Sequence, residues 1–345
     1  MLQSHHRLAI LLHNGLTGVS GKTGISLLRY SELPIVAVID QSAAGRSLAD
    51  LVGIDRKIPI VGSVEEALPL HPDVLAIGIA PSGGALPDPW KQEIQTAVAA
   101  GLSIVNGLHT PMAMDPMFKT VKSDQWIWDV RREPTGLTIG QGLARSLPCR
   151  RVLIVGTDMG VGKMSAGLEL NRACRERGLR SRFLATGQTG LMLGEDGIPL
   201  DAVRIDFAAG AVEQLVMKYG HDHDILFVEG QGSLMHPGST ATLPLMRGSQ
   251  PTHLVLVHRA GQPHIRDLPD FPIPPLPEVI RVYETVAWAG GAFAPVKVAA
   301  IALNTFHLPE NAAKAVIEQT QQQTGLPCTD VIRFGAGAIA DALIP

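Results

Sequence analysis

Short apolar runs alternate along the chain with stretches whose apolar residues recur every three or four positions, and the two periods take turns from one end to the other. Runs bounded by turn residues predict buried strands at residues 8–12, 35–39, 74–79 and 103–105, then at 152–155, 181–185, 225–228, 254–257, 298–302 and 331–333. The helical period predicts helices near 23–30, 63–67 and 89–100, and again near 163–177, 207–218, 276–288 and 310–323. Strands that are apolar on both faces need cover on both, and the intervening helices supply it. The expected fold class is therefore α/β, with two doubly wound parallel-sheet domains. Residues 111–148 follow neither period and contain Trp126, Trp128 and the turn Met114-Asp115-Pro116-Met117. The predicted organisation is a first domain over 1–110, a connector over 111–148 packed between the domains, and a second domain over 149–345.

A length of 345 residues agrees with two domains. With 46% hydrophobic residues, 18% charged and a net charge of −3, the chain lacks the basic excess that nucleic-acid binding needs. Its apolar runs break far short of the ~18 residues that span a bilayer. The N-terminal apolar run fits a first strand better than a secretion signal, because a glycine loop and Gly21-Lys22 follow at once. Cys149, Cys174 and Cys328 lie far apart without CxxC pairing and read as reduced thiols of a cytoplasmic protein. No nucleic-acid or membrane partner is expected.

The chemistry concentrates where the strand at 152–155 stops. Gly156-Thr157-Asp158-Met159-Gly160-Val161-Gly162-Lys163-Met164-Ser165 delivers a lysine to the start of an amphipathic helix. Glycines let backbone N–H groups turn inward, the helix terminus adds partial positive charge, and the lysine adds a full one; such a loop holds phosphates. Gly156, Thr157, Gly160, Val161, Gly162, Lys163, Met164 and Ser165 are the predicted contacts, in a P-loop NTPase-like domain. Counted against GxxxxGK[ST], the first glycine falls on Thr157, with Gly156 one residue early, and Met164 stands where a hydroxyl would hold magnesium. Phosphate binding is thus expected with less support for magnesium-assisted transfer.

The first domain opens in the same way, with Thr17-Gly-Val-Ser-Gly-Lys-Thr23 after its first strand, although Leu16 replaces a leading glycine. Asp40 ends the second strand 22 residues after Gly18, where a Rossmann unit places the acid that accepts from ribose hydroxyls. Gly21, Lys22, Thr23 and Asp40 are therefore cofactor candidates in a Rossmann-like domain, beside the alternative that this domain binds no dinucleotide. The segment Ala80-Pro-Ser-Gly-Gly84 follows a strand at the edge that would face a nucleotide.

Further candidates end other strands. Glu229-Gly230-Gln-Gly-Ser233 places a carboxylate at a sheet edge, where it can hold a metal or orient a nucleophile. In the stretch Thr186-Gly-Gln188-Thr189-Gly190, Gln188 and Thr189 offer a polar wall for substrate, and Gly230 allows close approach. Asp206 reads as a helix cap, a substrate contact or, with Glu229, a magnesium ligand. Asp158 shapes the loop or takes a proton. His236 and His258 are candidate general bases, since imidazole titrates near neutrality. Six prolines between Pro263 and Pro277 predict a stiff extended segment that either borders the site or only connects elements.

Gly156–Met164 resembles the GTDTxVGKT motif of dethiobiotin synthetase, and Val228–Ser233 its VEGAGG. That resemblance implies Lys163 on nucleotide phosphates and Glu229 near magnesium, with Met164 a departure from the family's threonine. Over nearly its full length the chain more closely resembles a bacterial family long described as a domain of unknown function, Rossmann-like in its first half and P-loop in its second. Gly21–Tyr30, Val36–Asp40, Ile77–Gly84, Gly156–Met164 and Asp206–Val216 carry the match. The family includes a D-glutamate N-acetyltransferase that works beside an enolase-type epimerase of N-acyl amino acids. The resemblance implies acyl transfer from acetyl-CoA to the amine of a small acidic amino acid such as D-glutamate, with such an epimerase as a pathway partner. A homo-oligomer is the expected assembly.

The CoA diphosphate can rest on Gly160–Lys163 without magnesium. The alternatives are an ATP- and magnesium-dependent ligase or kinase of the dethiobiotin synthetase type, and a non-enzymatic nucleotide-binding switch or assembly protein.

Overall fold

The computed structural model describes residues 2–79, 86–288 and 291–344, which fall into two compact units. The first runs to Arg132 and also takes Gln188–Gly194; the second holds Glu133–Gly187 and everything from Glu195 onward. Both are parallel α/β sandwiches, as the alternation of periods predicts.

In the first unit β1 (Leu8–Leu11), α1 (Lys22–Tyr30), β2 (Ile35–Ile39), α2 (Leu48–Val52), β3 (Ile60–Val61), α3 (Val64–Ala67), β4 (Val74–Ile77), α4 (Asp88–Ala99), β5 (Ser103–Asn106) and β6 (Ile127–Asp129) follow in turn. The strands lie in the order β3-β2-β1-β4-β5-β6, all parallel, which is the order of dinucleotide-binding folds. β1 and β4 are buried along their whole length, so their runs are apolar without alternation.

The expected connector over 111–148 is corrected here, because its residues 127–129 are the sixth strand of this sheet. Three residues are too few to show a period. What fixes the strand lies beyond its pattern: the Asp129 carboxylate accepts from Met112 N (2.9 Å), Ala113 N (3.0 Å) and Asn106 Nδ2 (2.8 Å), drawing the preceding loop onto the sheet edge. The segment Ala80–Gly84 lies outside the described residues.

The second unit carries β7 (Arg150–Gly156), α5 (Lys163–Glu176) and β8 (Ser181–Leu184). After α6 (Gln188–Met192), which belongs to the first unit, come α7 (Ile205–Tyr219), β9 (Ile225–Val228), α8 (Thr242–Ser249), β10 (His253–Arg259), β11 (His264–Ile265), β12 (Leu268–Pro272), α9 (Leu276–Trp288), β13 (Val298–Asn304), α10 (Glu310–Thr324), β14 (Cys328–Thr329) and α11 (Gly337–Leu343). Its sheet order is β14-β13-β10-β7-β9-β8, parallel throughout. The chain passes from β9 on one side of β7 to β10 on the other, so a crevice opens at the C-terminal end of β7, where such sheets bind ligands. Ile154, Phe183 and Phe227 are fully buried in this sheet; each contributes roughly 1.5–3 kcal/mol.

Two expectations change in this unit. The last strand is Cys328–Thr329, and residues 331–333 form a turn. Asp330 is the cause: its carboxylate accepts from the amides of Thr305, Ile332 and Arg333 and from Thr305 Oγ1, which bends the chain immediately after the strand. The proline-rich segment is not a plain extended connector either, since β11 and β12 pair antiparallel within it. Its prolines sit where an edge strand can spare the missing N–H.

Candidate functional site

The phosphate loop begins where β7 ends. Gly160 and Gly162 adopt φ of +67° and +116°, left-handed conformations that side chains resist, and they curl the loop ahead of α5. The first amides of α5 have no carbonyl four residues back within the helix, so they point out of its end as donors. Lys163 is buried; its Nζ donates to Asp158 O at 2.7 Å, which lays the side chain across the loop. Met164, in the position of a magnesium-binding hydroxyl, is 4% exposed and packed into the core. Ser165 is half-buried on the next position of α5.

Neighbouring strands lock this loop. Thr157, fully buried, shares a hydrogen bond between its Oγ1 and His258 Nδ1 (2.9 Å) at the end of β10. Asn304, at the end of β13, donates from Nδ2 to Val161 O (2.9 Å). Tyr283 of α9 donates its hydroxyl to Gly156 O (2.7 Å) and accepts from Leu234 N (3.2 Å). β9 pairs with β7, so Glu229 emerges beside the loop as its sequence position suggests. Its Oε2 accepts from Thr186 N (2.9 Å) and Gly187 N (3.1 Å), binding the turn after β8 to the turn after β9. Gly230 presses its α-carbon against Ile154 O and the Lys163 side chain, and any side chain there would collide with that carbonyl.

The candidate acids and bases differ sharply in what already occupies them. Asp158 is buried with both oxygens engaged: Oδ1 accepts from Met159 N (2.6 Å), and Oδ2 from Gln262 Nε2 (2.6 Å) and Arg266 N (2.8 Å). Three donors make it a holder of loop structure. His236 turns its Nδ1 to accept from Gly238 N (3.0 Å) in its own turn. His258 is half-buried, and desolvation pushes it down to about 4, so its imidazole is neutral at ordinary pH.

Asp206 is exposed in the first turn of α7, two positions past the cap. The N-cap is Arg204, which makes no side-chain cap bond, so the capping reading of Asp206 is corrected to a charge beside the positive end of the helix. Among the described residues no group of three or more His, Cys, Asp or Glu side chains could hold a metal ion, and no helix is long and apolar enough to cross a membrane.

Gln188 and Thr189 belong to the first unit. Thr189 Oγ1 lies 3.1 Å from Thr23 Oγ1, and Gln188 Nε2 donates to the same hydroxyl at 3.4 Å. Both serve there to pack α6 on α1, in place of the substrate wall expected in the second unit. Thr23 is consequently buried, while Lys22 beside it is exposed and Gly21 caps α1. Asp40 does not face a ribose. It is fully buried, Oδ1 accepting from Asn14 N (3.0 Å), Ser42 N (3.1 Å) and Ser42 Oγ (2.7 Å), and Oδ2 from Leu16 N (3.3 Å). The acid of the Rossmann pattern holds the loop after β1.

Sequence reasoning missed Gln262, Arg266 and Tyr283, which reach the phosphate loop from beyond residue 260, as Asn304 does too. It also missed Arg259, at the end of β10, whose guanidinium lies 5.2 Å from the Phe306 ring centre and whose Nε is buried without a hydrogen-bond partner. The His258-Arg259 end of β10 was a visible signal, since strand ends at the loop's edge collect ligand contacts.

Comparisons with known proteins agree with this division. A family described as a domain of unknown function, DUF1611, P-loop domain, matches residues 138–340, and its Rossmann-like N-terminal counterpart matches 41–133. A D-glutamate N-acetyltransferase of Tritonibacter scottomollicae is 38% identical over 284 residues, covering 81% of this chain and 84% of that one. A second of the same description, from a Pseudoalteromonas species, is 34% identical over 281 residues, covering 80% and 83%. The crystal structure of a protein of the same family from Anabaena variabilis superposes with a TM-score of 0.96 at 64% identity over 99% of both chains.

Proposed function

This chain belongs to the DUF1611 family, and on that premise we propose that it is an acetyl-CoA-dependent N-acetyltransferase acting on the amine of a small acidic amino acid, D-glutamate foremost. The relatives described as D-glutamate N-acetyltransferases support the reaction. The observation that supports it in this molecule is a glycine-bent loop ahead of α5 with an apolar residue at its metal position: Gly160 and Gly162 adopt left-handed φ beside Lys163, a geometry suited to a diphosphate, and Met164 is buried where a hydroxyl would coordinate magnesium. A CoA diphosphate needs the first and has no use for the second.

In this reading the backbone amides from Gly160 to Met164 and the Lys163 ammonium bind the diphosphate by charge-assisted hydrogen bonds. The amine of the acceptor forms a bond to the thioester carbonyl carbon, the C–S bond breaks, and CoA leaves as its thiol. The proton lost by the amine passes to His258, which is neutral and beside the loop, and from there to the departing CoA sulfur. With Nδ1–H donating to Thr157 Oγ1, His258 Nε2 carries the lone pair that receives it. Glu229 holds the turns after β8 and β9 in place around the reacting groups.

The test is thiol release from acetyl-CoA monitored with a chromogenic thiol reagent, with D-glutamate, L-glutamate and other acidic amino acids offered in turn. The protein's own thiols are buried, which pushes Cys174 up to about 11 and Cys328 up to about 12 and keeps them out of the readout. D-Glutamate-dependent release is expected, and Lys163→Ala should weaken acetyl-CoA binding by about tenfold or more. Thermal stabilisation by ATP with magnesium but not by CoA would remove the acetyltransferase reading.

A further inference from the structure

One cation at the phosphate loop is delivered by an element outside the loop itself. The β11–β12 hairpin turns at residues 266–267, and the Arg266 guanidinium rests against Gly160, with Nη1 3.3 Å from the point a β-carbon on that glycine would occupy. The hairpin cannot drift from the loop, because Asp158 Oδ2 accepts both the Arg266 amide (2.8 Å) and Gln262 Nε2 (2.6 Å), while Gln262 Nε2 also donates to His264 O (2.9 Å). This latch uses the backbone of Arg266 and leaves its side chain at the mouth of the loop, about half exposed. It pairs with Asp267 at 3.5 Å, which is 89% exposed, so that ion pair is worth little in water.

We propose that Arg266 is a phosphate-binding residue of this site, contacting the diphosphate of the acyl donor from the side opposite the α5 terminus, and that Asp158 is the positioning residue that aims it. The inference rests on the reading of the loop as a CoA diphosphate site. A guanidinium suits the task because its planar fork meets two phosphate oxygens at once, while Lys163 acts as a point charge. The arrangement also gives the buried Asp158 a function that its three donors leave open: it is a link between loop and hairpin. It explains why an acidic residue stands inside an anion-binding turn, since its charge is already matched by N–H donors before any ligand arrives.

The experiment is calorimetric titration of the full chain with CoA, ADP and acetyl-pantetheine, the last lacking the nucleotide phosphates. Wild type, Arg266→Ala, Arg266→Lys and Lys163→Ala are compared, with melting temperature as a check on folding. Arg266→Ala should weaken CoA binding at least tenfold and Arg266→Lys by less, with acetyl-pantetheine binding equally to wild type and variant and the CoA salt dependence reduced. CoA affinity within twofold of wild type in Arg266→Ala, while Lys163→Ala loses it, would overturn the inference and leave the phosphate-loop reading standing. A loss confined to ADP, or an equal loss for acetyl-pantetheine, would also overturn it. Wild type that binds CoA no better than acetyl-pantetheine would sink the underlying reading together with the inference.

Discussion

His258 shows how burial alone sets the behaviour of one side chain. Water removed from around the ring disfavours imidazolium, so the folded protein holds this group at about 4 against a usual value near 6.5. As the reacting base it would stay competent through mildly acidic conditions. His258 is expected to titrate near pH 4, well below an unperturbed histidine, when its ring protons are followed by NMR, and His258→Gln should lower kcat while leaving acetyl-CoA binding within a few-fold. The same shift has a stability consequence. Between about pH 6.5 and 4 the unfolded chain takes up a proton that the native state refuses, so stability contributed above 6.5 declines as pH falls through that window. Urea unfolding at pH 7 and pH 5 checks it, because His258→Gln should narrow the difference between the two. Other residues reverse first impressions for reasons of geometry. Asp40 and Asp158 both stand in positions where sequence suggests a ligand contact, and both are saturated by the chain's own N–H donors.

At the scale of elements, α7 explains a motif that sequence comparison alone would assign to the ligand. Within Asp206–Val216, Glu213 is buried, and its carboxylate accepts from Gln141 N (3.0 Å) and Leu143 N (2.6 Å), fastening the loop that leads into β7. Glu213→Ala removes the acceptor of two partly buried amides and should cost about 1–3 kcal/mol in denaturant unfolding, with acetyl-CoA affinity preserved in the folded fraction.

The long strands and helices were legible because each shows several repeats of its period: β7, β10, β13, α5 and α10 all lie within a few residues of expectation. Most of those that were not legible are short, α8 being the longest at eight residues. β3, β6 and β14 have two or three residues each and are fixed by Asp129, Asp330 and the neighbouring strand, none of which leaves a periodic trace. The phosphate loop was legible because it is contiguous. Its supports were not, since Gln262, Arg266, Tyr283 and Asn304 join it from 104 to 143 residues away.

For the molecule as a whole, the two sheets follow one another in sequence, yet the boundary between the units is crossed more than once. α6 emerges from the second half of the chain and contributes Met192, 1% exposed, to the hydrophobic core of the first unit, with Leu191 and Leu193 packed against it. Met192→Ala should therefore destabilise the first unit by roughly 2–4 kcal/mol. Fluorescence of Trp90, Trp126 and Trp128, which lie in that unit, can follow its unfolding. A change seen only in the second unit would contradict this assignment of α6. This return of the chain also constrains how such proteins can be recombined. A gene splice after Arg132 would hand its new partner an N-terminal piece with an open hydrophobic socket, and would leave the C-terminal piece with a plug that has nothing to fill. Shuffling the halves among relatives therefore requires exchanging two segments together, and a library built on a single crossover should be dominated by insoluble products.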